Sequence, residues 1–210
     1  MLAATALPEA IHQYAARLPK VVVRVCDVAV ERLVDSVASG DVDIAVGPDR
    51  ATGRDVRSQT LFHSPWVLWC APTHTLATRR SLRWAELHDE PLVAAGRDHE
   101  ISVERMRLNV PEHERVAPVD IVDNISTALG IAAQGRSATL APAYVRTLAE
   151  TFGLRMQRVV DPETVRDVCL YRPEGRSLSP AAEGFAQFLE TALKAWARRL
   201  GRPTARPARM

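Results

Sequence analysis

Residues 40–47 read Gly-Asp-Val-Asp-Ile-Ala-Val-Gly, a polar helix stop that runs directly into an apolar, β-branched stretch. Glycine often follows a helix end, and valine and isoleucine favour strands. A related order recurs at residues 132–142, where Gly135 separates a helical stretch from the apolar run 138–141. Two such junctions predict an α/β protein of two lobes, an architecture more typical of a binding protein than of a catalyst.

The apolar residues of the first predicted helix recur at helical spacing, at Leu7, Ile11, Tyr14 and Leu18. This helix is expected to begin near Met1 and to end at Pro19. Pro8 is tolerable there in the first turn, where a missing N–H costs no hydrogen bond.

A strand, a helix and a second strand are predicted next. Residues 20–26 are rich in valine and predict a buried strand, and Asp27 is predicted to cap a helix that ends at Gly40. The apolar stripe of that helix is Val30, Leu33, Val34 and Val37. Residues 42–46 form the second strand, and the short connections predict that the two strands pair in parallel.

Apolar runs predict further strands at residues 66–71, 91–95, 116–122, 138–141 and 168–171. Helices are expected after Ser81, through Val103 and Met106, from Ile125 to Gly135, over residues 142–152, and after Ser179. Residues 48–59 and 96–100 read as loops. In the last helix Ser179 is the N-cap and Pro180 the first helical residue. Its apolar face comprises Phe185, Phe188, Leu189, Ala192, Leu193 and Trp196.

The sequence lacks the motifs of several classes of function. The ten glycines form no dinucleotide-binding fingerprint and no P-loop. The six histidines show no i, i+4 pair and the three cysteines no C-x-x-C spacing, so we expect neither metal nor cofactor. Cys26, Cys70 and Cys169 are interpreted as small buried apolar residues. No spacing supplies a convergent acid, base and nucleophile, and we therefore predict that the protein is not an enzyme.

The apolar runs are far shorter than the roughly 20 residues that span a bilayer. The N-terminus has no basic segment before an apolar one, so we predict a cytoplasmic protein without membrane contact. The net charge of +2 depends on arginines at 198, 199, 202, 206 and 209. We expect residues 201–210 to form a disordered basic tail.

Several short segments occur along nearly the whole chain in an order and spacing that together are distinctive. They are residues 7–19, 33–47, 66–76, 90–93, 129–135, 140–142 and 175–182, and they include Ser39-Gly40-Asp41 and Ala71-Pro72-Thr73-His74. This series resembles the effector-binding domain of LysR-type transcriptional regulators. No single segment is specific by itself.

The resemblance implies an α/β fold of two Rossmann-like βα lobes joined by two crossover strands, like a type II periplasmic binding protein. Lobe one would comprise residues 1–70 and 168–200, and lobe two residues 71–167. Residues 66–71 and 168–171 would be the hinge strands. An N-terminal helix-turn-helix and a first strand, both usual in this family, have no counterpart in the sequence.

The function implied is effector sensing and dimerisation in a transcriptional regulator, with a small organic, anionic effector in the cleft between the lobes. Its partners would be that effector, further copies in a homodimer or homotetramer, and DNA through the N-terminal domain alone. The expected effector contacts are Leu2, Val28, Val30, Pro48, Arg97, His99, Ile101, Asn124, Ile125 and Ser126. The polar residues among them, Arg97, His99, Asn124 and Ser126, are interpreted equally well as N-caps or loop residues that contact no ligand.

Three alternatives remain open from the sequence. A free-standing solute-binding protein would have the same lobes and an export signal. An enzyme on this scaffold would need clustered charges, for which Arg97 and Asp98 are weak support. A redox sensor would use Cys70 and Cys169 on the hinge strands, although neither has a basic flank.

Overall fold

The computed structural model describes residues 1–96 and 120–200. The chain divides into two compact units, here called the middle unit and the terminal unit. The middle unit comprises His63–Arg166 with Met1, and the terminal unit comprises Leu2–Phe62 with Asp167–Met210. Both internal borders fall inside strands, at residues 62/63 and 166/167, whereas the lobes expected from the sequence divide after residues 70 and 167.

The strands are β1 Ala45–Pro48, β2 Val56–Cys70, β3 Ser81–Arg83, β4 Leu92–Ala95, β5 Asp120–Val122, β6 Ala138–Pro142, β7 Arg155–Val160 and β8 Val165–Pro173. The helices are α1 Leu2–Arg17, α2 Leu33–Ser39, α3 Ile125–Ala132, α4 Arg146–Thr151 and α5 Pro180–Leu200. Short 3₁₀ turns occur at Val30–Arg32, Thr75–Thr78, Trp84–Leu87 and Ala143–Val145.

The middle unit is built on a mixed sheet with the strand order β5-β4-β6-β2-β7-β3. Strand β4 is parallel to β5 and β6, while β2 is antiparallel to β6 and β7. One face packs a cluster that includes Trp66, Leu68, Leu82 and Leu140. Another cluster joins β4 to helix α3 through Val93, Ala95 and Ala128. The α/β architecture expected from the sequence is therefore confirmed.

In the terminal unit, helices α1 and α5 pack against each other through aromatic side chains. The Tyr14 ring lies 5.1 Å from the Phe185 ring and 5.1 Å from the Phe188 ring. At the helix start, Ser179 Oγ accepts from the Ala182 N–H, and the predicted α5 is confirmed from Pro180 onward. Gly40 ends α2 with φ 83°, a left-handed conformation that favours glycine, as the opening stretch predicts.

The predicted strand at residues 20–26 is wrong, because residues 21–29 are not in a strand and Val22 is 80% exposed. No described strand pairs with this segment, and a strand without a ladder partner is not a sheet element. Strand β1 consequently has a different neighbour from the one expected and pairs antiparallel with β8. Asp27 does not cap α2 either, since Ala29 precedes the 3₁₀ turn that leads into the helix.

Helix α1 also differs in detail from its prediction. Pro8 lies inside the helix, beyond the first turn. The buried residues are Leu2, Ala6, Ala10 and Tyr14, whereas Leu18 is 47% exposed. The small side chains of Ala6 and Ala10 allow helix α5 to approach closely. The buried face of α1 therefore lies beside the row of larger apolar side chains that the sequence predicts to be buried.

Further expectations from the sequence need correction. Strand β2 begins at Val56, within the predicted loop, and Ser81 begins strand β3 rather than capping a helix. Strand β7 was not predicted, because its exposed arginines interrupt the apolar pattern. Cys26 is exposed, although Cys70 and Cys169 are buried as expected. The predictions for residues 97–119 and 201–210 concern parts of the chain outside the described residues.

Within residues 1–96 and 120–200, the structure contains no helix that is both long and apolar enough to cross a bilayer.

Candidate functional site

The carboxyl ends of two parallel strands meet at one edge of the middle-unit sheet. Ala95 at the end of β4 pairs with Val122 at the end of β5, and the chain then enters α3 through Asn124. Gly96 has φ 76°, and a Cβ there would lie 3.4 Å from the backbone oxygen of Asp123. The two strand ends therefore approach closely, at an edge where open α/β sheets bind their ligands.

Helix α3 begins at this edge without a side-chain cap. The backbone oxygen of Asn124 accepts from the N–H groups of Thr127, at 3.1 Å, and Ala128, at 3.2 Å. The Asn124 side chain makes no capping hydrogen bond and is exposed. Within the described part of the chain, the N–H groups of Ile125 and Ser126 have no acceptor. These free donors and the positive end of the helix dipole favour an anion.

Three of the predicted contacts, which are adjacent in sequence, lie at this edge. Asn124 and Ser126 are exposed, and Ile125 is half-buried against the cluster of Val93, Ala95 and Ala128. Asn124 and Ser126 are free to contact a ligand, whereas Ile125 also stabilises the attachment of α3 to the sheet.

In the terminal unit, Pro48 lies buried at the end of β1. Its carbonyl oxygen accepts a hydrogen bond of 2.5 Å from the Tyr171 hydroxyl on β8. Next to it, the Cys169 Sγ lies 3.7 Å from Asp49 Oδ1 and 3.8 Å from Thr60 Oγ1. Sequence reasoning missed Cys169 and Tyr171 as neighbours of this loop because they lie more than 100 positions from Pro48 and Asp49. Only the apolar run 168–171 indicates the strand that contains them.

Burial favours the protonated forms of the Tyr171 hydroxyl and the Cys169 thiol, because it raises the pKa of each. In the middle unit, burial raises the pKa of Cys70 to about 11, against a smaller lowering by Arg155. A thiol attacks as its thiolate, so the raised pKa values disfavour attack by either buried cysteine.

The remaining predicted contacts are distributed as follows. Leu2 is buried in α1, and Val28 and Val30 are half-buried in the terminal unit. Arg97, His99 and Ile101 lie outside the described residues. Within the described residues there is no group of three His, Cys, Asp or Glu side chains that could hold a metal ion. The candidate anion site that the structure describes is therefore the open start of α3 in the middle unit.

Comparisons with known proteins agree with this architecture. The family described as the LysR substrate binding domain matches residues 1–194. The uncharacterized HTH-type transcriptional regulator YbhD of Escherichia coli is 24% identical over 186 residues, which are 87% of this chain and 58% of that protein. The chain thus spans little more than half the length of this relative.

Two solved structures share the fold. The C-terminal domain of a probable LysR family regulator from Rhodococcus sp. RHA1 has a TM-score of 0.75 and 20% identity, covering 90% of this chain and 93% of that one. The effector binding domain of QuiR, in complex with shikimate, has a TM-score of 0.75 and 16% identity, with 90% and 91% covered. Because the family match extends over almost the entire sequence, the chain belongs to the LysR substrate binding domain family.

Proposed function

We propose that this chain is the effector-sensing part of a LysR-type transcriptional regulator and that its effector is a small organic anion. The observation that carries the proposal is the uncapped start of α3, placed at the carboxyl ends of parallel strands in a chain of this family. Two free backbone N–H groups and the exposed Asn124 amide form a set of hydrogen-bond donors at this edge.

The expected ligand has a carboxylate or a similar anionic group on an apolar or hydroxylated body. Asn124 and Ser126 would donate to the anionic group, and Ile125 would contact the body of the ligand. Leu2, Val28, Val30 and Pro48 of the terminal unit are proposed as apolar contacts, with Arg97, His99 and Ile101 as further proposed contacts. Shikimate in the QuiR domain is a hydroxylated carboxylate, and compounds of that class belong in a first screen.

We further propose that the protein acts as a homodimer or homotetramer in the cytoplasm and contacts DNA through an N-terminal domain. The names of its relatives as HTH-type regulators support this assignment. Ligand binding without turnover is the expected behaviour, since the buried thiols are held protonated and relatives are regulators. A free-standing binding protein or an enzyme is the less favoured alternative.

The test is thermal unfolding of the purified chain with a panel of small carboxylates and their neutral amides. A ligand that binds only the folded state raises the unfolding midpoint. Asn124→Asp adds a negative charge at the helix start and should weaken carboxylate binding roughly tenfold, whereas Asn124→Ser should change it little.

Ser179→Asp, a matched change at the start of α5, serves as the control and should leave affinity unchanged. A carboxylate that binds wild type and Asn124→Asp equally would exclude the α3 start as the site. If a folded sample responds to no carboxylate in the panel, the proposed ligand class is wrong.

A further inference from the structure

Gly96 follows strand β4 at the edge of the sheet where helix α3 begins. Its φ is 76°, in the left-handed region that glycine adopts readily and that a residue with a Cβ adopts rarely. A Cβ on Gly96 would lie 3.4 Å from the backbone oxygen of Asp123, in van der Waals contact. Asp123 is followed directly by Asn124, the residue before α3. Gly96 therefore adjoins the peptide group that leads into the helix start.

Strand β4 has little freedom to move in response to strain at Gly96, because it lies between two other strands. Leu92 and Val93 pair with β6, and Val93–Ala95 pair with β5. The Thr139 hydroxyl on β6 also donates to the Val93 oxygen at 2.7 Å, and both residues are buried. A side chain that disfavours the positive φ at position 96 would therefore displace the chain next to β4 rather than β4 itself.

The body of α3 is also held in place, whereas the link that precedes it is not. The residues of α3 with no exposed surface are Ala128, Leu129 and Ala132. Asp123 and Asn124, which link β5 to α3, are both exposed. Displacement at this edge would thus fall on the link. The orientation of the free N–H groups of Ile125 and Ser126 depends on the backbone of that link.

We propose that Gly96 is a positioning residue of the effector site. Its left-handed conformation holds Asp123 and Asn124 so that the N–H groups of Ile125 and Ser126 point towards one anionic group. This inference rests on the proposed function of the α3 start as an effector site. Hydrogen bonds to a charged group depend on distance and angle, so a small displacement of the link should lower affinity for a carboxylate.

Two substitutions of Gly96 distinguish the backbone conformation from the added side chain. Alanine and asparagine place the same Cβ near the Asp123 oxygen, but asparagine tolerates a positive φ far better than alanine does. Gly96→Ala should weaken carboxylate binding about tenfold, which corresponds to the loss of one hydrogen bond to a charged group. Gly96→Asn should recover most of the affinity.

Gly153→Ala is the matched control for backbone strain. Gly153 follows α4 and has a φ of 71°, and a Cβ there would have no heavy atom within 4 Å. The two alanine variants should therefore lose similar amounts of stability, as measured by their unfolding midpoints. Only Gly96→Ala should lose affinity.

The probes are shikimate and, as a minimal carboxylate, acetate. Each is titrated into the ¹⁵N-labelled chain and its variants, and affinity is taken from the shifts of the Ile125 and Ser126 amides. In the wild-type chain the Gly96 amide should shift in step with these two amides. This last measurement tests the proposal even if Gly96→Ala fails to fold.

The possible failures separate this inference from the proposed function. If neither probe shifts the Ile125 and Ser126 amides, the anion site at α3 is wrong and the role of Gly96 falls with it. If a probe binds there but Gly96→Ala retains wild-type affinity, only the role of Gly96 is overturned. An equal loss of affinity in Gly153→Ala, or a Gly96 amide that stays unshifted at saturation, would likewise overturn that role alone.

Discussion

The Tyr171 hydroxyl on β8 donates to the carbonyl oxygen of Pro48 at the end of β1, and the tyrosine is fully buried. This hydrogen bond attaches the start of the loop after β1 to the neighbouring strand β8. Tyr171→Phe leaves a buried carbonyl without this donor and should cost about 1–2 kcal/mol of unfolding free energy. Urea denaturation measures the loss, and a variant as stable as wild type would show that the bond contributes nothing.

Alanine substitutions at Gly135 and Gly153 distinguish the cost of backbone strain from the cost of a steric contact. Both have positive φ, of 84° and 71°, but only Gly135 faces a neighbour, since a Cβ there would lie 2.7 Å from Thr73 Oγ1. Gly153→Ala should lower the free energy of unfolding by about 1 kcal/mol, because alanine is strained at a positive φ. Gly135→Ala should lower it by at least about 1 kcal/mol more, because Thr73 must also move. Equal losses in denaturant titrations would exclude a contribution from the Thr73 contact.

Glu190 is expected to make stability depend on acid pH. Its carboxylate accepts from Lys194 Nζ at 2.6 Å and Gln59 Nε2 at 2.8 Å, and the Lys194 bond is the main reason that its pKa is lowered. A lowered folded-state pKa means that the stabilisation is present above the unfolded-state pKa and is lost as the pH falls through the folded-state value.

Glu190→Gln should therefore lower stability at neutral pH by about 1 kcal/mol or less, because the group is partly solvated. Unfolding free energies measured from pH 7 down to pH 3 should converge with those of wild type at the acid end. Glu174→Gln, at an exposed pair with Arg57 3.8 Å away, is the control and should change the profile less. Parallel curves for Glu190→Gln and wild type would contradict the assignment.

The three cysteines should differ sharply in reactivity. Cys26 is exposed, whereas Cys70 and Cys169 are buried and their pKa values are raised. A thiol reagent at pH 8 should modify one cysteine of the native chain quickly and all three after denaturation. Cys26→Ser should remove the fast phase. Fast modification of Cys70 or Cys169 in folded protein would revive the redox-sensor alternative.

Much of the fold could be predicted from local sequence. The capped, amphipathic α5 and the left-handed Gly40 have short-range signals, and both were correctly predicted. The run 138–141 was likewise identified as a strand, which the structure places beside β4 and β2. In each case one stretch of residues contains the cap, the stop or the apolar pattern that determines its structure.

Pairing between distant segments was predicted less well. Residues 20–26 have strong β propensity but form no strand, because propensity does not supply a ladder partner. The partner of β1 was likewise mistaken, since antiparallel pairing with β8 joins segments far apart in sequence. At the candidate site, Asn124 was predicted from its position after a strand, whereas the contacts of Pro48 with Tyr171 required the folded structure.

The most direct test of the account is an NMR titration of the ¹⁵N-labelled chain with small carboxylates and their neutral amides, observed at the Ile125 and Ser126 amides. We predict saturable shifts of these two resonances with at least one carboxylate and none with the corresponding amide. If a carboxylate binds the folded chain and leaves both resonances unchanged, the open start of α3 is not the effector site.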